Sequence, residues 1–278
     1  MRYFIEIAYN GKNYFGWQRQ PKQISVQQVL EDSLSTFLRK ELKITGAGRT
    51  DTGVHAKQLM AHFDHDQIED VERFIFRMNS FLPPDIAIKN LFEVPSDAHA
   101  RFDALERTYE YKVGIGKDPF SQDYAYQVYK KPDIALMNQA AELLLHHKNF
   151  QCFSRSKTDV KTYNCKVKEA YWEERDENLI FTITADRFLR NMVRAIVGTL
   201  LDVGYAKSTL EDFKAILMSR SRDEAGPSAP AKALYLLKIV YPETIISDPG
   251  SRQGIGLQSH LNKCQGAQNS MGISNENE

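Results

Sequence analysis

Residues 165–186 read CKVKEAYWEERDENLIFTITAD. Two strand-like runs, 165–175 and 178–186, flank a turn at Asp176 to Asn178. Strand-rich runs joined this closely form a β-hairpin, and a hairpin makes the sheet around it antiparallel. Outward from the hairpin, the apolar period changes from two to three or four. Helices are predicted over "DIALMNQAAELLLHHK" (133–148), "FLRNMVRAIVGTLLDVGY" (188–205) and "TLEDFKAILMSR" (209–220). Strands are predicted over "RTYEYKVG" (107–114) and "ALYLLKIVYP" (233–242).

The first half has the same rhythm. Tyr3, Ile5 and Ile7 alternate with Phe4 and Glu6 in a strand near 2–9. Ser25 then precedes a helix over 26–42, with Gln28 placed as a capping-box partner. Val26, Leu30, Leu34 and Leu38 share one face of it. Further segments are a strand near 58–65, a helix over 71–82 ended by Pro83 and Pro84, and a strand over 86–94. Strands and helices mixed in this way, with hairpins, indicate an α+β fold on a mostly antiparallel sheet. The likeness of the halves is architectural, without an internal sequence repeat. The chain divides into an N-terminal half (1–105), a C-terminal half (106–246) and a tail (247–278) whose Gly, Ser, Asn and Gln content predicts disorder.

Composition narrows the function. The 36 basic and 36 acidic residues leave no net charge, so any polyanion must be met by a local basic groove. No apolar run approaches a membrane span, and the N-terminus enters a strand without a signal-peptide pattern. Three cysteines (Cys152, Cys165, Cys264), odd in number and without a CxxC pair, favour reduced thiols and a cytoplasmic setting.

The most chemically loaded stretch is "ITGAGRTDTGVHA" (44–56). Gly46, Gly48 and Gly53 allow sharp turns and close approach of a ligand. Asp51 stands among short polar residues, which reads either as a structural Asx-turn with Arg49 exposed or as a carboxylate presented to a ligand.

Several segments together carry a resemblance. "GRTDTGVHA", "DAHARFDALERTYEYKV", "NFQCFSRS", "ADRFLRNMVRAIVGTLL" and "AGPSAPAKALYLLKIVYP" are similar, in order, to motifs of the tRNA pseudouridine synthase A (TruA) family. The likeness spans residues 1 to about 242. It implies two ferredoxin-like or RRM-like halves sharing one continuous mixed sheet, helices on one side and a cleft between the halves. It also implies a homodimer that isomerises uridine to pseudouridine in the anticodon stem-loop of tRNA, at positions 38–40, with no cofactor or metal.

On this resemblance Asp51 maps to the nucleophile and Arg49 to the arginine that assists base flipping. Tyr109 maps to the tyrosine that packs against the target base and helps move a proton. By pattern alone Tyr109 is an ordinary sheet aromatic. Arg194 lies in the apolar "NMVRAIVG" stretch and needs a partner, so it is predicted to pair with Asp51; the alternative is an arginine snorkelling from the helix edge. Arg190, one turn earlier, is placed to reach phosphate. His99, Arg101 and Phe102 match one RNA-contacting stretch, and Phe153, Ser154 and Arg155, with Lys157 nearby, match another. Gln18 and Arg19 also look like family residues. Thr52, Ala233 and the acidic Glu69 depart from the family pattern.

No His, Cys or carboxylate spacing suggests a metal, and His55 is expected to hydrogen-bond its loop. A lone aspartate suits isomerisation better than the paired carboxylates of glycoside hydrolysis. The rivals are a catalytically silent RNA-binding protein of the same fold and a metal-dependent phosphohydrolase, which requires a further carboxylate.

Overall fold

The computed structural model describes residues 1–155 and 160–246, so the predicted tail lies outside the described residues. In chain order, β1 (Arg2–Tyr9) leads to α1 (Val26–Leu38), the short β2 (Thr45–Gly46), β3 (His55–Asp64), α2 (Val71–Phe81) and β4 (Ile86–Val94). Then come β5 (Glu106–Ile115), β6 (Tyr126–Val128), α3 (Ile134–Leu145), β7 (Val167–Arg175) and β8 (Asn178–Ala185). The last elements are α4 (Met192–Gly204), α5 (Leu210–Ser219), β9 (Leu234–Val240) and α6 (Glu243–Ile246). Asp176 and Glu177 adopt φ of 49° and 61°, giving the β7–β8 turn the mirror-image twist that tight hairpins favour.

One sheet holds the described strands along the path β4-β1-β3-β9-β5-β8-β7, with β2 added to β3 and β6 to β5. The pairs β3–β9 and β5–β6 are parallel and the others antiparallel, the mixed, mostly antiparallel sheet of an α+β fold. The first half runs β-α-β-β-α-β, and the second repeats this order with β6 added after β5 and α5 added after α4. The first orders its strands β4-β1-β3-β2 and the second β9-β5-β8-β7, one ferredoxin-like order used twice.

The halves join because β2 is a stub. It covers only Ala61 and His62 of β3, whose other end would present unpaired backbone groups. β9 fills that edge in parallel, pairing Tyr235 with His55 and Leu236 with Ala56. The two hydrophobic cores interlock at the same place. The N-terminal core takes Leu236 and Ile239 of β9 and the following Tyr241, and the C-terminal core takes Val54 from the glycine-rich loop.

Local sequence explains most element ends. Ser25 Oγ accepts the Gln28 N–H at 3.3 Å and starts α1. Val26, Leu30 and Leu34 are fully buried, each contributing about 1.5–3 kcal/mol. α1 ends at Leu38 rather than at 42, because Arg39 turns left-handed at φ 53° and its N–H returns to the Ser35 carbonyl. α4 starts at Met192 rather than at 188. Asn191 is left-handed at φ 66°, and residues 188–190 are drawn into the seam between the halves.

Candidate active site

Register lines up one row of residues across both halves. Tyr9 pairs with Ala56, Ala56 with Leu236, Leu236 with Tyr109 and Tyr109 with Ile183. The loop carrying Asp51 enters β3 immediately ahead of this row.

That loop is fixed from several directions. Tyr9 Oη and Thr50 Oγ1 share a buried hydrogen bond of 2.8 Å. Trp17 N–H donates to the Thr50 carbonyl, and Gly53 N–H to the Tyr14 carbonyl, both at 3.3 Å. Val54 N–H closes a turn onto the Asp51 carbonyl at 3.1 Å. Gly16, at φ 79°, passes so close that a Cβ there would lie 2.3 Å from the Thr50 carbonyl oxygen. Among the loop's own glycines, Gly53 takes φ 79°, Gly46 packs on the Trp17 indole and Gly48 faces open space. His55 bridges the halves. It accepts the Gly11 N–H at Nδ1 (3.1 Å) and holds the Lys232 carbonyl with Nε2 (3.0 Å). Burial lowers its pKa, so Nε2 carries the proton of a neutral ring.

Asp51 is 27% exposed and faces two arginines. Arg194 Nη1 lies 3.5 Å from Oδ2, and Arg190 Nε lies 3.9 Å from Oδ1. Arg194 is also tied to backbone, its Nε donating to the Ala229 carbonyl at 2.7 Å. Both cations stand at the start of α4, where the helix dipole opposes positive charge, and the Asp51 carboxylate offsets them. The same arrangement leaves part of the carboxylate reachable from solvent.

Tyr109 packs against both cores, and the Phe188 ring meets it edge-on at 5.1 Å and 86°. Burial pushes its phenol up to about 12, with Arg107 opposing and Asp51 reinforcing the shift. The hydroxyl is therefore neutral at ordinary pH.

The remaining residues singled out from sequence lie around this centre in different roles. Arg49 is exposed, and its Nε donates to Gln18 Oε1 at 3.2 Å. Gln18 in turn donates to Gln27 Oε1 at 2.8 Å. Arg19 is engaged by Glu31 and Asp32 at 3.0 Å each. His99 builds its own turn, with Nδ1 accepting the N–H groups of Arg101 (3.1 Å) and Phe102 (3.3 Å). Arg101 and Phe102 face solvent, Phe102 with 74% of its surface exposed. Arg155 is exposed, and its N–H donates to the Arg190 carbonyl at 3.1 Å.

Two expectations change. Phe153 is fully buried, packed near Phe213 in the C-terminal core, and Ser154 is only 3% exposed. Phe153 is therefore a core residue rather than an RNA contact, because its ring has no free face. Lys157 lies outside the described residues. Sequence patterning misses Phe188, whose motif reads as one continuous helix. It also misses the Tyr9–Thr50 bond, which no spacing rule announces. Among the described residues no cluster of His, Cys, Asp or Glu could hold a metal ion. None of their helices is long and apolar enough to cross a membrane.

Comparison with known proteins gives a consistent answer. The family pattern described as tRNA pseudouridine synthase matches residues 6–103 and 140–242. The chain is 50% identical over 250 residues to a tRNA pseudouridine synthase A of Bacteroides thetaiotaomicron, covering 89% of this chain and 93% of the relative. A tRNA pseudouridine synthase A of Porphyromonas gingivalis is 49% identical over 248 residues, covering 88% of this chain and 98% of its own. One from Treponema denticola is 38% identical over 253 residues, covering 88% and 94%.

Proposed function

Because the chain belongs to the tRNA pseudouridine synthase family, an isomerase family acting on uridine in tRNA, we propose that Asp51 is the nucleophile of that isomerisation. The observation that carries the assignment is the partly exposed Asp51 carboxylate held between Arg194 and Arg190 at the seam of the sheet. Attack by the carboxylate lets the C1′–N1 glycosidic bond break. The freed uracil turns, C5 bonds to C1′, the bond that Asp51 formed breaks and restores its carboxylate, and the hydrogen at C5 leaves while N1 gains one. Atoms balance without water, oxidant or metal, so the proposed reaction uses no cofactor.

Tyr109 supplies a ring surface for the turned base, and stacking of this kind contributes roughly 1–3 kcal/mol. Its neutral hydroxyl can pass a proton. A base in a stem must first be flipped out, at a cost of a few kcal/mol. Arg49, exposed and steadied by Gln18, takes the vacated place. Arg101, Phe102, Arg155 and Arg190 then meet backbone and bases, phosphate contacts positioning the RNA without reading its sequence. His99 acts through the turn it holds.

The proposed target is the anticodon stem-loop, at positions 38–40. The proposed active form is a homodimer, which lets a chain without net charge assemble a longer basic groove. The buried free thiols of Cys152 and Cys165 suit a cytoplasmic setting.

The test is release of tritium from tRNA labelled at uracil C5, measured in EDTA with wild-type protein and with Asp51→Ala. Release by wild type alone is the expected result. Binding of tRNA without release would favour a silent RNA-binding protein, and release that EDTA abolishes would favour metal chemistry.

A further inference from the structure

Arg107 stands on β5 two residues before Tyr109, between Ala185 of β8 and Ile239 of β9. Its guanidinium donates to four backbone carbonyls. Nη1 reaches Ala104 at 2.8 Å and Asp186 at 2.7 Å. Nη2 reaches Arg101 at 2.8 Å and Ala47 at 3.2 Å. Burial works against this charge and lowers its pKa, so the carbonyl dipoles are what hold it.

The carbonyls belong to three segments far apart in the chain. Ala47 begins the stretch that ends at Asp51. Arg101 and Ala104 bracket the exposed Phe102. Asp186 leads to Phe188, which packs on Tyr109, and to Arg190, which faces Asp51. The shared feature of the three is that each brings a group to the site. A planar fork can span four acceptors, whereas a lysine offers three donors from one nitrogen.

We propose that Arg107 is a positioning residue for the isomerisation. It sets the loop of Asp51, the Phe102 turn and the segment before α4 at fixed separations around Tyr109, before any tRNA arrives. No bond or proton changes at Arg107 itself. The role rests on the reading of Asp51 as nucleophile and Tyr109 as platform.

The test compares wild type, Asp51→Ala, Arg107→Lys and Arg107→Met in single-turnover tritium release with saturating tRNA, alongside tRNA Kd and Tm. For Arg107→Met a rate loss of about 100-fold is expected, the size that a misplacement of about 1 Å produces. Arg107→Lys keeps the charge without the fork and is expected to lose about tenfold at near wild-type Tm, with Kd in both variants within about threefold. A folded variant of either kind that reacts at the wild-type rate overturns the proposal. So does a loss confined to Kd, or one accounted for by the fraction unfolded. If Arg107→Met does not fold, Arg107→Lys decides by the same criteria. If wild type and Asp51→Ala behave alike, the reading of Asp51 fails and takes this role with it; if they differ, the Arg107 result stands on its own.

Discussion

Arg194 holds Asp51 and the loop before β9 at once: Nη1 lies 3.5 Å from Asp51 Oδ2 while Nε donates to the Ala229 carbonyl at 2.7 Å. Ala229 N–H returns a bond to the Arg194 carbonyl at 2.9 Å, so the arginine itself cannot drift. Replacing it should therefore cost both rate and stability. Arg194→Met is expected to lower the single-turnover rate about 100-fold, the scale of a lost preorganised electrostatic contact. Loss of its charged hydrogen bond should cost about 1.5–3 kcal/mol in unfolding free energy. Arg194→Lys should fall between Met and wild type in rate. A wild-type rate in folded Arg194→Met would sink the pairing as a functional contact.

Tyr109 separates ring from hydroxyl. Tyr109→Leu removes the proposed stacking surface and should weaken tRNA binding by roughly 1–3 kcal/mol, read as a rise in Kd. Tyr109→Phe keeps the surface and should bind as wild type, so any defect it shows in tritium release belongs to the hydroxyl. Burial pushes the phenol up to about 12. Its loss of a proton should therefore leave no trace in the rate profile up to about pH 10, where an ordinary tyrosine titrates. Equal Kd for Leu and Phe variants would remove the ring from substrate binding.

Where the sequence was legible, the physics was local. The β7–β8 hairpin shows in its alternation and in the two residues that turn it, and α1 shows in Ser25 and its apolar face. Asp51 stands out because short polar and glycine residues surround it. The stub β2 was not legible, since a two-residue strand has no period, yet it decides where the halves join. Nor was the early end of α1, which Arg39 sets by a left-handed turn that arginine rarely adopts. Phe153 shows the converse. A phenylalanine inside a functional motif looks the same in sequence whether it faces RNA or the core, and only packing separates the two.

His62 predicts an acid sensitivity of folding. It is 7% exposed, and its Nδ1 accepts the Ala100 N–H at 3.1 Å. Burial, then His99 and Arg2, lower its pKa to about 4, against smaller opposing effects of Asp64 and Asp103. The folded state thus resists a proton that the unfolded chain accepts near pH 6.5. The stability from a neutral His62 is complete above about pH 6.5 and is lost as pH falls toward 4, at up to about 1.4 kcal/mol per pH unit. Denaturant melts across that range should show the slope in wild type and a shallower one in His62→Gln. Parallel slopes would assign the acid sensitivity elsewhere.

Gly16 and Gly48 make a paired test of what glycine does around Asp51. Gly16 sits at φ 79° with a would-be Cβ 2.3 Å from the Thr50 carbonyl oxygen, a backbone atom that cannot swing away. Gly16→Ala must strain its own backbone, at about 1–2 kcal/mol, and push the loop that carries Asp51. A Tm drop of roughly 2–4 °C per kcal/mol is expected, with a loss of rate beyond the unfolded fraction. At Gly48 a Cβ meets nothing within 4 Å, so Gly48→Ala should melt with wild-type Tm. If Gly48→Ala then loses tRNA affinity, the space it fills is where RNA approaches the loop. If Gly16→Ala keeps both rate and Tm, the loop is not held by the close contact through which it is argued to act.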